Sequence, residues 1–343
     1  MCKQREAWPD RVKMIACVLV TLGHFFQGVI IAGILPETAL SGWFDDTIYY
    51  FHVPLFFICS GYLYQKTAKV TSFVSWKGNI LKKTVILGIP YVVFSVITWV
   101  LKNAFSGSVN IQNQGLIQTL LLSPASPYWY LYALFFVFAI TPTCRNVKWT
   151  KGMLCAAAAM KLISAFLPDS SVFALNTVLY NEVWFVLGMS MCVLDLPRKL
   201  RSGAWRITGF VTATVFVALS IALCFADGDF AFAPLFMGAI GCAAVILITL
   251  NWQQSERLCA IEKILVHNTM PIFLMHTIFA AGIRTVLMKL GVESIAVHIV
   301  LGMAFSFAGP VVAASIMRRL KLDFLYDPGK YIKFSTKEEN YYG

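Results

Sequence analysis

Charge is scarce in this chain. Of its 343 residues, 13% are Asp, Glu, Lys or Arg, against roughly 25% in ordinary globular chains. Acid is the scarcer sign, with 17 Asp+Glu against 28 Lys+Arg. The nine cysteines show no CxxC spacing and no Cys/His cluster, so the pattern of a zinc site is missing. No P-loop, GxGxxG, GxSxG or HExxH occurs, which leaves soluble ATPase, dehydrogenase, hydrolase and zinc-protease readings without a motif. No repeat with a period of about 20–50 residues is visible, which excludes a solenoid.

What the chain has is apolar surface: 58% of residues are hydrophobic and the mean hydropathy is +0.71. A soluble domain could not hide this much from water, whereas a membrane protein has no need to. A bilayer-spanning helix takes about 20 mostly apolar residues. Ten stretches answer that description, near 12–35, 47–64, 84–101, 128–141, 152–167, 176–194, 207–226, 230–250, 269–288 and 295–316. The expected fold is all-α, a polytopic bundle of about ten transmembrane helices. It forms one integral membrane domain over 1–343, with a short polar segment at 1–12, a tail at 317–343 and no fused extracytoplasmic domain. The apolar stretch Met14 to Leu35 is longer than the 7–15 residues of a signal-peptide core, so the first span is expected to be retained. Cys17, Cys59, Cys155, Cys192 and Cys242 lie inside apolar runs and read as reduced packing residues.

Charge placement tests the span count independently. With the N-terminus inside, the inner segments are 1–13, 65–83, 142–151, 195–206, 251–268 and 317–343. They hold 24 of the 28 Lys+Arg, the outer loops hold only Lys102 and Lys289, and Lys161 and Arg284 fall within spans. This positive-inside asymmetry puts both termini in the cytoplasm. It also accounts for the net charge of +11 without nucleic acid as a partner. The outer loops are acidic, with Glu37, Asp45, Asp46, Asp169, Asp227 and Asp229. Residues 69–83 place Val70, Phe73, Val74, Ile80 and Leu81 on one face and Lys77, Lys82 and Lys83 off it, the pattern of a basic helix on the inner membrane surface. Residues 102–127 are expected to form a partly buried outer loop.

Ionisable groups within the membrane cost about 2.5–3.5 kcal/mol each on insertion scales and face the bundle interior. Here they are His24, His52, Lys161, Glu182, His276, Arg284 and His298. His24 lies eleven residues after Lys13, about 16 Å along a helix and near mid-membrane. An imidazole there can take a proton from a hydroxyl, or simply bond between helices. His52 sits in FHVPLFFICSGYL with Pro54 and Gly61, the latter two read as packing residues. His276 and His298 read as polar bundle contacts. Lys161 and Glu182 lie at matching depth and are expected to neutralise each other, with contact to a polar acceptor as the alternative for Glu182. Arg284 is expected to snorkel outward.

These motifs converge. Arg5-x4-Asp10-x2-Lys13 followed by IACVLVTLGH, ending in His24, resembles the opening of the acyltransferase-3 family of integral membrane acyltransferases. The pattern is closest to the branch resembling fucose 4-O-acetylases. FHVPLFFICSGYL at 51–63 looks like the family's second-helix motif. Ile89-Pro90-Tyr91, YWYLYALF at 128–135, WFVLG at 184–188 and PIFLMH at 271–276 extend the likeness over nearly the whole chain. The resemblance implies transfer of an acyl group, usually acetyl from cytoplasmic acetyl-CoA, to a hydroxyl of a cell-surface glycan or its lipid-linked precursor, at the cell membrane. It makes acetyl-CoA a donor substrate, with no permanently bound cofactor and no metal. It maps the family's catalytic histidine onto His24 and its basic partner onto Lys13. A cytoplasmic ring of Arg5, Lys13, Lys82 and Lys83 would then meet the phosphates of coenzyme A, while His52, Glu182 and Asp10 are the expected substrate contacts. Where many members carry Arg-x-x-Arg before the third helix, this chain offers Lys77, Lys82 and Lys83. The competing class is a carrier or flippase of a polar or lipid-linked solute, which also buries ionisable groups near the midplane. That class tends to show paired broken helices in matching halves, which this sequence lacks.

Overall fold

The computed structural model describes residues 6–105, 114–166, 170, 172–226, 230–252 and 256–332. Among them the chain is helical, without strands. The order is α1 (Trp8–Ile31), α2 (Ala39–Tyr49), α3 (His52–Thr67), α4 (Phe73–Lys83), α5 (Ile89–Ala104), α6 (Trp129–Ile140), α7 (Val147–Ser164), α8 (Phe173–Val193), α9 (Leu196–Lys199), α10 (Gly203–Cys224), α11 (Ala233–Leu250), α12 (Glu256–His267), α13 (Thr269–Lys289) and α14 (Ile295–Arg319). The helix starts carry ordinary chemistry. Thr38 and Ser72 form capping boxes with Ser41 and Ser75, and Asn146 and Ser202 cap α7 and α10. α1, α5 and α11 begin on a proline, whose missing N–H costs nothing in the first turn.

Side-chain bonds sort the connecting segments into two ends. At one end Lys66 pairs with Glu6 at 2.8 Å and Arg11 pairs with Glu262 at 2.7 Å. Gln65 bonds the backbone of Cys144, Asn251 donates to the Leu200 carbonyl, and Arg318 donates to Asn268. These bonds tie together all six segments assigned to the cytoplasm by charge. At the other end Gln27 holds Asp45, Trp43 holds Ser220 and Phe166 packs on Phe232. The chain thus traverses the bundle ten times, as expected, with α2–α3 and α4–α5 each forming one traverse.

Six of the traverses are long and apolar enough to cross a membrane by length and composition: α1, the α4–α5 run, α10, α11, α13 and α14. Of the others, α3, α6 and the inner part of α8 are largely buried in protein, whereas α7 buries only Thr150, Ala157 and Ser164. α8 carries Asn176, Asn181 and Glu182, yet nearly every residue from Asn181 to Met191 is buried. It packs most extensively on α3. Gly61 and Gly188 make this contact: a Cβ on Gly61 would collide with the Phe185 carbonyl, and one on Gly188 with the Ile58 carbonyl. α10 is the opposite case, a peripheral helix that buries only Gly209, Phe216 and Ser220.

Two local expectations change. The basic segment 69–83 is not a separate surface helix. α4 runs into α5 through a π-helical turn, Thr84–Gly88, set just before Pro90, which cannot donate to the carbonyl four residues back. Phe73, Val74 and Leu81 are exposed on α4, whereas Val70 is buried against Thr143. The outer loop does enter the bundle: Tyr128 is fully buried and Tyr91 donates to the Leu120 carbonyl. Non-helical backbone at membrane depth is tolerated only where protein buries it or it lines a cavity. Here it lines one. Of the cysteines read as packing residues, Cys17, Cys59 and Cys242 are buried, Cys192 is partly so, and Cys155 is exposed on α7.

Candidate active site

Val20, His24 and Gln27 recur at helical spacing along α1 and face a cavity of about 200 Å³. Tyr49 and His52, from the α2–α3 junction, close one side of it, and Ser126 and Tyr130, from the outer loop and α6, close the other. Gly23 lets Tyr49 approach α1: a Cβ there would stand 3.2 Å from the ring.

The bonds around His24 fix its tautomer. Gln27 Nε2 donates to both Asp45 carboxylate oxygens, at 3.0 and 2.9 Å. Its Oε1 is therefore turned to Tyr49 and accepts the phenol proton at 3.0 Å. With that proton committed, Tyr49 Oη can only accept from His24 Nδ1, 3.3 Å away. His24 then carries its proton on Nδ1 and a bare lone pair on Nε2. That lone pair faces the Ser126 hydroxyl at 3.2 Å. A chain from the Asp45 carboxylate through Gln27 and Tyr49 thus orients the imidazole, and Nε2 meets a hydroxyl in the cavity.

Two more imidazoles flank it. His52, the first residue of α3, is 1% exposed; its Nδ1 donates to the Ile48 carbonyl at 2.8 Å, and its ring stands edge-on to Tyr49. His276 on α13 stacks on His24 with centroids 5.5 Å apart. Its Nδ1 donates to the Ile272 carbonyl at 2.9 Å, and its buried Nε2 has no partner among the described residues. One turn beyond His24, Arg284 lies across Gly28. His298 bonds the Val292 carbonyl and stands apart from this cluster.

The expected donor residues lie at the inner end. Lys13 and Asp10 lie in the neighbourhood of Cys59 of α3, and Lys13 and Lys82 in that of Lys83. Lys83 turns inward, with Nζ 3.6 Å from the centre of the Phe138 ring and 5.9 Å from that of Tyr64, while Lys82 is exposed. Arg5 lies outside the described residues. Phe138 is eight residues beyond Tyr130 on α6, about 12 Å along the helix, so this helix links the lysine cluster to the His24 cavity. Tyr130 is tied there to Ser60 at 3.1 Å.

Glu182 is not brought to the His24 cavity. Its Oε1 accepts from Thr141, at the inner end of α6, at 2.7 Å. The expected Lys161–Glu182 pair does not form. Lys161 Nζ sits 4.1 Å from the centre of the Tyr180 ring, and Tyr180 and Glu182 project about 200° apart around α8. Among the described residues no group of three or more His, Cys, Asp or Glu is placed to hold a metal.

The sequence profile of the acyltransferase domain family matches residues 6–315. This chain belongs to that family. The match takes in both His24 and Lys13. The chain is also similar to nodulation protein NolL of Sinorhizobium fredii, 31% identical over 185 residues, which is 54% of this chain and 48% of that protein. It is 32% identical to nodulation protein NolL of Mesorhizobium japonicum over 134 residues, 38% of this chain and 34% of that protein. The matched part thus spans about half the length of these relatives or less. No solved structure matches the chain. Within this acyltransferase-family chain, Gln27, Asp45, Tyr49, Ser126 and His276 are site residues that sequence reading missed. Two of them carried a signal: Gln27 lies three residues after His24 on the same face of α1, and His276 is an intramembrane histidine that read as a bundle contact.

Proposed function

We propose that this chain is a cell-membrane O-acyltransferase. It moves an acetyl group from cytoplasmic acetyl-CoA to a hydroxyl of a cell-surface glycan or its lipid-linked precursor. The observation that carries this reading is His24 Nε2, a bare lone pair aimed at a hydroxyl in a mid-membrane cavity, with a lysine cluster at the inner end of the same helices. Lys13 and Lys83 hold the phosphates of coenzyme A, with Lys82 and Arg5 at the rim, and the thioester arm reaches inward along α6. An acceptor hydroxyl enters where Ser126 now stands. His24 Nε2 takes its proton as the oxygen attacks the thioester carbonyl, and the developing imidazolium is held by Tyr49, Gln27 and Asp45. Collapse of the tetrahedral intermediate expels the coenzyme A thiolate, which receives the proton from His24. The products are an O-acetyl ester and free coenzyme A. His52, with Nε2 free to accept, contacts the acceptor, and Asp10 positions Lys13. Glu182 takes no part in the transfer. Family membership supports chemistry over the carrier reading.

The test is transfer itself. Membranes containing the chain, given acetyl-CoA labelled in the acetyl group, should pass label into the glycan or lipid-linked sugar fraction as a base-labile ester. Label that stays in acetyl-CoA, while the protein moves an unmodified sugar lipid across the bilayer, would establish the carrier reading instead.

A further inference from the structure

A second cavity, of about 500 Å³, opens at the inner end of the bundle between α1, the start of α10 and the end of α11. It is larger than the one around His24, and the acyl-transfer mechanism does not use it. Three arginines line it: Arg11, Arg201 and Arg206. Arg11 and Lys13 are two positions apart and therefore project about 200° apart around α1. Arg11 bonds Glu262 and the Trp252 carbonyl, Lys13 projects to the other side of α1, and Lys13, Lys82 and Lys83 do not line the cavity.

The three arginines are not equivalent. Arg11 is 7% exposed and already satisfied, by Glu262 at 2.7 Å and by the Trp252 carbonyl at 3.1 Å. Arg201 and Arg206 are exposed at the cavity wall and pair with no carboxylate among the described residues. Among the described residues no Asp or Glu lines the cavity, while Arg201 and Arg206 bring it two positive charges. Gly203, the first residue of the 22-residue helix α10, also lines it. The N-terminal end of a helix adds positive potential at that point.

The position along the membrane normal selects the occupant. Trp252 lines the cavity, and the exposed Trp205 follows within the first turn of α10, an aromatic level typical of a membrane interface. The residues just beyond it on α10, Ile207, Phe210 and Val211, are 65%, 57% and 56% exposed and would meet acyl chains. We propose that this cavity binds the phosphate of an anionic lipid headgroup from the inner leaflet, gripped by Arg201 and Arg206. Guanidinium forks match phosphate oxygens two at a time, and the inner leaflet is where basic side chains meet anionic lipid. Arg11 belongs to the helix that carries Lys13 and His24, so the bound lipid braces that helix against α10 and α11.

A soluble phosphate offers the same chemistry, and the test separates the two sources. The full chain in neutral detergent is unfolded thermally with added dioleoylphosphatidylglycerol, dioleoylphosphatidylcholine or inorganic phosphate. Phosphatidylglycerol should raise the unfolding temperature, with little effect from the other two. An Arg201→Gln/Arg206→Gln variant should need at least tenfold more phosphatidylglycerol for the same rise, since two charge-assisted contacts are lost. An Arg198→Gln/Lys199→Gln variant removes the same charge from α9, outside the cavity, and should respond as the wild type does. A rise with inorganic phosphate alone, lost in the Arg201/Arg206 variant, would overturn the lipid as occupant and keep the anion site. Equal responses from the wild type and the Arg201/Arg206 variant, or no response to any addition, would overturn the site itself.

Discussion

At the scale of single residues, the site depends on hydrogen-bond direction more than on residue identity. His24 can act as a base only while its proton stays on Nδ1, and Tyr49 Oη is the acceptor that keeps it there. Tyr49→Phe preserves the ring against His52 and Gly23 but removes that acceptor. The expected result is a kcat lowered about tenfold, the value of one oriented hydrogen bond, with the KM for acetyl-CoA unchanged. Steady-state kinetics on folded protein check this. Glu6 gives a second residue-scale test, outside the membrane. Burial pushes its carboxyl up, but bonds from Lys66 and Tyr62 outweigh this and hold it below its ordinary value of 4.5. A depressed carboxyl stabilises the fold above its unfolded pKa and loses that contribution as the pH falls through the folded value. Both partners are about one-third exposed, so the contribution is about 1 kcal/mol or less. Wild type should unfold slightly above Glu6→Gln at pH 7, and the two should converge as the pH falls through the depressed folded value of Glu6. The Lys13–His24 spacing was legible in the sequence. Asp45 was read only as an outer-loop charge, and Ser126 lies 102 residues from His24, joined to it by a loop fold that no local pattern encodes.

At the scale of elements, α3 and α8 form the tightest contact, and two glycines permit it. Gly188→Ala puts a methyl group into the Ile58 carbonyl and should cost about 1–3 kcal/mol. Gly78 on α4 has nothing within 4 Å of the same methyl position, so Gly78→Ala should be neutral or gain roughly 0.5–1 kcal/mol. Unfolding of both variants in one detergent checks the contrast. Helix facing also explains the Lys161–Glu182 error. Depth along each helix could be counted from the sequence, but the direction around it could not, and α8 turns Glu182 to α6 and Tyr180 to α7. Neighbouring positions on α4 project about 100° apart, which makes Lys82 and Lys83 unequal in the same way. Lys83 is turned onto Phe138 and Lys82 outward. Lys83→Gln should therefore raise the KM for acetyl-CoA about tenfold, as one lost charge-assisted contact implies, and Lys82→Gln should raise it much less. An unchanged KM for acetyl-CoA in both variants would mean that the two residues serve only membrane topology.

At the scale of the whole molecule, the inner and outer ends were legible because charge reports topology directly. Each of the six segments assigned inside by Lys and Arg is tied to another of them by a side-chain bond. The centre of the bundle was not legible, since a helix surrounded by protein need not look like a span: α8 tolerates Asn181 and Glu182 because both lie in its buried half. The proposed transfer uses that buried centre as a single site reached from two sides, with the donor at the lysine end and the acceptor at the Ser126 end. The most direct measurement is release of free coenzyme A from acetyl-CoA by purified protein with acceptor present, for the wild type and for His24→Ala, normalised to folded protein. The account predicts steady release by the wild type and a rate about 10²–10⁴-fold lower for His24→Ala, with an unchanged KM for acetyl-CoA. Release by His24→Ala at the wild-type rate would contradict it.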